Sequence, residues 1–162
     1  MNTLMFIPNG LNTPEFEFLL SKTQELLNQK KKITILSCAG RSGYACSLNI
    51  YAMKSICAVC KKRRNKGLSM LRGKFDLVEV NKDIIKKKIK DKIKIKNIKY
   101  KNFDVGMGVF SSYTNLTRDT YLNGYLAKNS VDKLYSTSVT FYEFVKNFLV
   151  KNHFEKIITF NS

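Results

Sequence analysis

Two short apolar runs, residues 3–7 and 33–37, flank a single stretch of helical periodicity, and nothing else in the chain constrains the fold as strongly. The first run ends in Pro8-Asn9-Gly10, which is turn chemistry. Thr13-Pro14-Glu15 then opens a helix. Thr13 is placed to cap it, and Pro14 suits the first helical position because its missing N–H would have no partner there. Glu15 and Glu17 favour the positive end of the helix dipole. Phe16, Leu19, Leu20, Thr23, Leu26 and Leu27 recur at helical spacing and define one buried face, and Lys30 to Lys32 close the helix at its negative end. The second apolar run is broken by Cys38-Ala39-Gly40. Strand, helix and strand with connections this short form a β-α-β unit, which demands parallel strands and a right-handed crossover.

Beyond residue 40 the pattern loosens. Residues 41–61 read as irregular and rich in Cys, Ser and Gly, followed by a short basic helix over 61–71 that ends before Gly73. Residues 75–80 read as a strand and 83–90 as a Lys-rich helix; Ile93-Lys94-Ile95-Lys96 fits a strand or a continued helix equally. A helix over 106–116 precedes a turn at Thr117-Arg118-Asp119. Ser130 is placed to cap a long helix over 131–152 whose face carries Leu134, Tyr135, Ser138, Phe141, Val145, Phe148 and Leu149. Residues 156–160 read as a further parallel strand. The expected fold class is α/β, a Rossmann-like parallel sheet flanked by helices, with residues 1–162 as one domain and residues 41–66 as a Cys-rich basic insertion.

Charge is concentrated. The chain carries 29 Lys+Arg against 12 Asp+Glu, a net +17, and residues 54–101 alone hold 18 basic and 4 acidic residues, or +14. Such a band attracts polyanions, whether nucleic acid, lipid headgroups or sugar phosphates, and a solvated Lys-rich surface is the plainer reading. Nucleic acid is the less expected partner, because aromatic residues are not interleaved with the basic ones as a stacking platform requires. The N-terminus lacks the basic segment and long apolar core of a signal peptide, and no run approaches the roughly 18 apolar residues of a membrane span. A cytoplasmic location is expected, with contact to the inner face of a membrane as a variant of it.

Four cysteines, Cys38, Cys46, Cys57 and Cys60, stand in a C-x7-C-x10-C-x2-C frame. A C-x-x-C knuckle supplies two soft ligands, and Cys38 and Cys46 complete a candidate structural zinc site. Reduced thiols without metal, or redox use, are the alternatives. Zinc beside the KKRR run at 61–64 would make a basic nucleic-acid-binding module, the competing functional class. Cys38 also ends a strand ahead of Ala39-Gly40-Arg41-Ser42-Gly43, the outline of a thiolate beside an anion cradle. That loop is too short to wrap an anion and has Tyr44 where a phosphatase loop needs Arg. Neither GxGxxG nor GxxxxGK[ST] occurs. His153, the one histidine, suits a helix C-terminus, and Asp104, Arg118 and Asp119 read as turn or surface residues.

Taken in order, TLMFIPNGLNTPEFEFLL (3–20), the cysteine frame with KKRRNKGLSML (33–71), FDVGMGVFSSYTNLTRD (103–119) and KIITFNS (156–162) resemble the N-terminal portion of capsule and lipopolysaccharide-type polysaccharide biosynthesis proteins, two-domain glycosyltransferases of the GT-B fold. The resemblance covers nearly the whole chain and rests on the ordered set rather than on any one motif. Relatives continue past the last strand, whereas this sequence stops at Asn161-Ser162. The resemblance therefore implies an acceptor-side half, inactive alone. The nucleotide-sugar donor would be held by a C-terminal domain or a partner chain. It further implies a saccharide acceptor at the carboxyl ends of the strands, with Asn9, Gly10, Leu11, Gly40, Arg41, Ser42 and Asn161 as the substrate-binding residues. No catalytic base is evident among them.

Overall fold

The computed structural model describes residues 2–40, 45–80, 83–89, 94–122 and 125–160, with the backbone alone at 125, 126 and 128. The chain divides into two compact units. One comprises residues 1–40, 58–81 and 146–162, and the other residues 41–57 and 82–145.

The first unit holds the sheet. Strands β1 (Asn2–Ile7), β2 (Lys32–Cys38), β3 (Asp76–Val80) and β4 (Lys156–Ile158) lie in the order β3-β2-β1-β4, all parallel. Registers run Asn2↔Lys32 to Ile7↔Ser37, Thr34↔Asp76 to Cys38↔Val80, and Thr3↔Lys156 to Met5↔Ile158. The Rossmann-like parallel sheet is thus present, and its strand order reverses between β1 and β4. Helix α1 (Glu15–Asn28) makes the first crossover and buries Phe16, Leu19, Thr23 and Leu26, the face expected from spacing. Phe16, Leu19 and Leu26 meet Met5, Ile7, Ile33 and Ile35 of the sheet and Leu68 of helix α2 (Lys54–Ser69) in one apolar core. Each fully buried aliphatic side chain there contributes roughly 1.5–3 kcal/mol relative to exposure. Gly67 lets the two helices close up, since a Cβ on it would come within 2.6 Å of Phe16 Cζ.

The helix start differs from expectation. Thr13 makes no capping bond, because Pro14 occupies the cap position. The turn is held instead by Asn9 Oδ1, which accepts from Leu11 N at 3.1 Å and Asn12 N at 3.0 Å. Helix α2 also begins seven residues earlier than its sequence suggests, at Lys54 rather than Lys61. Buried Asn49 explains the extension: its Oδ1 accepts from Met53 N and its Nδ2 donates to Met53 O, both at 2.9 Å, ordering the chain just before the first turn.

The second unit is built on helices α3 (Val105–Thr117) and α4 (Tyr125–Lys151, to Val145 in this unit), around a core that includes Ile50, Ile95, Val109, Tyr113, Val131 and Leu134. Ser130 lies inside α4 rather than capping it, and is buried. The turn at 117–119 is present, with Arg118 in the left-handed conformation (φ 58°) closing α3. Residues 94–97 form no strand; a single 3₁₀ turn spans Ile95–Asn97, while Ile93 lies outside the described residues.

The expected Lys-rich helix at 83–90 is the clearest correction. Residues 83–89 run extended along α4. Ile85 N donates to Thr140 Oγ1 (2.9 Å), Lys87 N to Ser136 Oγ (3.0 Å) and Ile89 N to Asp132 Oδ1 (3.0 Å), and Ser136 Oγ donates back to Lys87 O (2.9 Å). Two residues of extended chain advance about 6.7 Å and four of helix about 6 Å, so three rungs stay in phase. Three adjacent like charges and β-branched Ile84 and Ile85 weaken the helical alternative. Among the described residues no helix is long and apolar enough to cross a membrane.

Candidate functional site

The reversal of strand order between β1 and β4 singles out one edge of the first unit. In open parallel sheets the ligand crevice lies outside the carboxyl ends of the strands at such a reversal. Asn9, Gly10 and Leu11 follow β1 and Gly40 follows β2, so the structure brings these four together at that edge. Arg41, Ser42 and Asn161 lie outside the described residues.

Each described residue has a structural duty that its sequence context did not disclose. Gly10 is buried against α2. A Cβ there would lie 2.7 Å from Arg64 N and 2.8 Å from Cys60 O, backbone atoms that cannot yield. Its N–H donates to Cys60 Sγ at 3.2 Å. Leu11 O accepts from Arg63 Nη1 at 3.3 Å, and Arg63 also pairs with Glu17. Gly40 has φ +65°, and its N–H donates to Cys38 Sγ at 3.3 Å. The N–H groups of Gly10, Leu11 and Asn12 are therefore all committed within the unit. A phosphate cradle needs such groups aimed outward.

Two features of this edge escaped the sequence. Arg64 is 2% exposed, and its guanidinium braces the ends of two strands. Nη1 donates to Ser37 Oγ at 3.0 Å and to Cys38 O, and Nη2 donates to Asn65 Oδ1 at 3.0 Å and pairs with Glu79. Ser37 and Glu79 are register partners, so they face α2 side by side. A polar residue at the end of an apolar strand, aligned with an acid on the next, was the available signal. The second feature is Glu15, in the first turn of α1, whose Oε2 is buried with no hydrogen-bond partner among the described residues. A cavity of about 390 Å³ opens between α2 and β3, where Lys61, Asn65 and Glu79 stand above Leu68 and Phe75.

Each of the four cysteines is placed by its own contacts. None is in a disulfide, and among the described residues no group of three or more His, Cys, Asp or Glu side chains is placed to hold a metal ion. Cys38 and Cys60 accept backbone N–H bonds at the sheet edge, Cys57 accepts from Asn49 Nδ2 at 3.2 Å, and Cys46 is exposed in an isolated bridge to Asn49. His153 is exposed, and its carbonyl oxygen accepts from Asn2 Nδ2 at 2.8 Å. Asp119 accepts from Tyr113 Oη at 3.1 Å; burial, and then this carboxylate, push the Tyr113 phenol up from its ordinary range. Comparison with protein-family models, curated proteins and solved structures finds no match to the chain.

Proposed function

We propose that the sheet unit is the acceptor-side half of a glycosyltransferase of capsular or lipopolysaccharide-type polysaccharide assembly. The observation that carries the reading is the strand order β3-β2-β1-β4, whose reversal between β1 and β4 is where open parallel sheets place their ligand crevice. Two features of that edge support a saccharide over a phosphate ligand. The loop N–H groups are consumed internally, and the acid at the edge, Glu15, has an oxygen with no partner among the described residues.

In this reading Glu15 takes the proton of an acceptor hydroxyl as that oxygen bonds to the anomeric carbon of the donor sugar. The nucleoside diphosphate departs with the electron pair of the broken glycosidic bond. The donor is held by a second Rossmann-like domain, on the same chain or a partner's. Asn9 and Gly10 act as positioning residues that fix the loop against α2.

The test is a titration of the isotope-labelled chain with simple hexoses, N-acetylhexosamines and their phosphates, followed through backbone amide signals. Shifts should be confined to residues 9–15 and Gly40, with the neutral sugars perturbing them as strongly as the phosphates. The reading fails if no sugar moves these signals, or if only the phosphates do.

A further inference from the structure

The second unit carries a surface that the proposed function does not use. Residues 82–101 contain ten lysines, two aspartates and no arginine. Among the described residues, Lys86, Lys87, Lys88, Lys94, Lys96, Lys99 and Lys101, seven in all, are exposed. The extended strap explains why three consecutive lysines can all reach water. Its backbone is pinned to α4 through alternate N–H groups at Ile85, Lys87 and Ile89, leaving the side chains of 86–88 outward.

Apolar groups stand among these charges. Phe103 is 43% exposed and Met107 is 50% exposed, four residues apart where α3 begins. Lys99 pairs with Asp104 between them at 3.4 Å, and Lys101 pairs with Glu143 at 2.6 Å. Phe103 is not a loose side chain, because its ring stacks on Tyr142 at 5.1 Å. A partly exposed ring stacked on Tyr142 and a half-exposed methionine give this charged face an apolar component.

We propose that this lysine band, together with Phe103 and Met107, is a docking surface for an anionic lipid bilayer. Lysines at the rim would meet headgroup phosphates while the two apolar side chains enter the headgroup layer. A single-stranded nucleic acid fits the same charge less well. The band has no arginine to fork a phosphate. Two of its rings are also occupied by lysines, with Lys96 4.2 Å from the centroid of Phe110 and Lys101 5.5 Å from that of Tyr100. Base stacking requires open ring faces. The proposal is independent of the glycosyltransferase reading, because its residues all lie in the second unit.

The experiment is co-sedimentation of the full chain with phosphatidylcholine vesicles, with and without phosphatidylglycerol, across a salt series. Binding should require phosphatidylglycerol and weaken steeply with salt. Each lysine near an anionic surface is worth a factor of about five, so K86Q/K87Q/K88Q should lower partitioning by on the order of 100-fold. Met107→Gln should lower it while leaving the salt dependence unchanged, which charge alone cannot produce. Circular dichroism of both variants checks that the fold is intact. Equal binding to neutral vesicles, no binding at low salt, or a triple variant that binds like the parent would each overturn the proposal. So would a fluorescent single-stranded oligonucleotide that binds more tightly than the vesicles and is released by the triple substitution.

Discussion

Arg64 offers the sharpest test of how the sheet edge is held. Replacing it with Met keeps most of the apolar stem and removes the guanidinium. Four acceptors then lose charged donors: Ser37 Oγ, fully buried, Cys38 O, Asn65 Oδ1 and the Glu79 carboxylate. Removing one partner of a buried ion pair costs about 3–5 kcal/mol when the other stays dry. Glu79 is 31% exposed, so water can recover part of that loss, and we expect about 2–4 kcal/mol. Glu79→Gln keeps an acceptor in place and should cost less, about 1–2 kcal/mol, because the bonds to Ser37 and Cys38 survive. The double variant R64M/E79Q should cost less than the sum, with a coupling of about 1–2 kcal/mol. Native-state hydrogen exchange at the amides of β2 and β3 reports on this unit alone. A loss of about 3 kcal/mol appears there as exchange roughly two decades faster. Arg64→Met costing under about 1 kcal/mol, or no more than Glu79→Gln, would refute the brace.

Two further predictions follow from local geometry. Gly106→Ala should unfold the second unit or cost at least about 3 kcal/mol, because the new Cβ would sit 1.9 Å from Ile95 O, whereas Gly108→Ala meets nothing within 4 Å and should stabilise α3 by up to about 1 kcal/mol; urea titrations followed by circular dichroism compare the two. Glu155 accepts the Asn2 N–H at 3.0 Å, and this bond holds its carboxyl below the usual range against an opposing desolvation. Its folded-state pKa is thus below its unfolded one, so its contribution is present above the ordinary carboxylate range and disappears as pH falls through the depressed value. Glu155→Gln should lower the urea midpoint near neutral pH and converge with the parent in acid; a gap that persists or widens in acid refutes the linkage.

The elements legible from sequence are those whose signal is local. β1, α1 and β2 each carry their own period, and their short connections leave a parallel pair as the one economical arrangement. α3 was legible within a residue or two for the same reason. What escaped was set by partners distant in the chain. The strap at 83–89 has the composition of a poor helix, but its extended course is fixed by Asp132, Ser136 and Thr140, which offer acceptors at one-turn intervals more than forty residues away. The early start of α2 depends on Asn49, which reads as one polar residue in an irregular stretch until its amide is seen bracketing Met53.

The candidate site shows the same division in a more consequential form. Pro8-Asn9-Gly10 announces a turn, and that much is correct, but a turn glycine ordinarily serves a positive φ. Gly10 is required instead by a close approach to the backbone of α2 at Cys60 and Arg64, fifty residues on. Asn9 likewise faces inward to its own loop, holding Leu11 and Asn12. The described residues named from sequence, Asn9, Gly10, Leu11 and Gly40, thus each serve the structure of this edge, and other groups there stand outside those bonds. Glu15 is the clearest of them. Its position in the first turn of α1 suits the helix dipole, which is reason enough for an acid there, yet the dipole asks nothing of Oε2 and the described chain offers it no donor. A buried carboxylate oxygen without a donor costs free energy of about 1–3 kcal/mol, a cost that a hydroxyl-bearing ligand at this edge would remove. The helix N-terminus explains why an acid stands at position 15; under the proposed glycosyl transfer, an acceptor hydroxyl would supply the donor that Oε2 lacks.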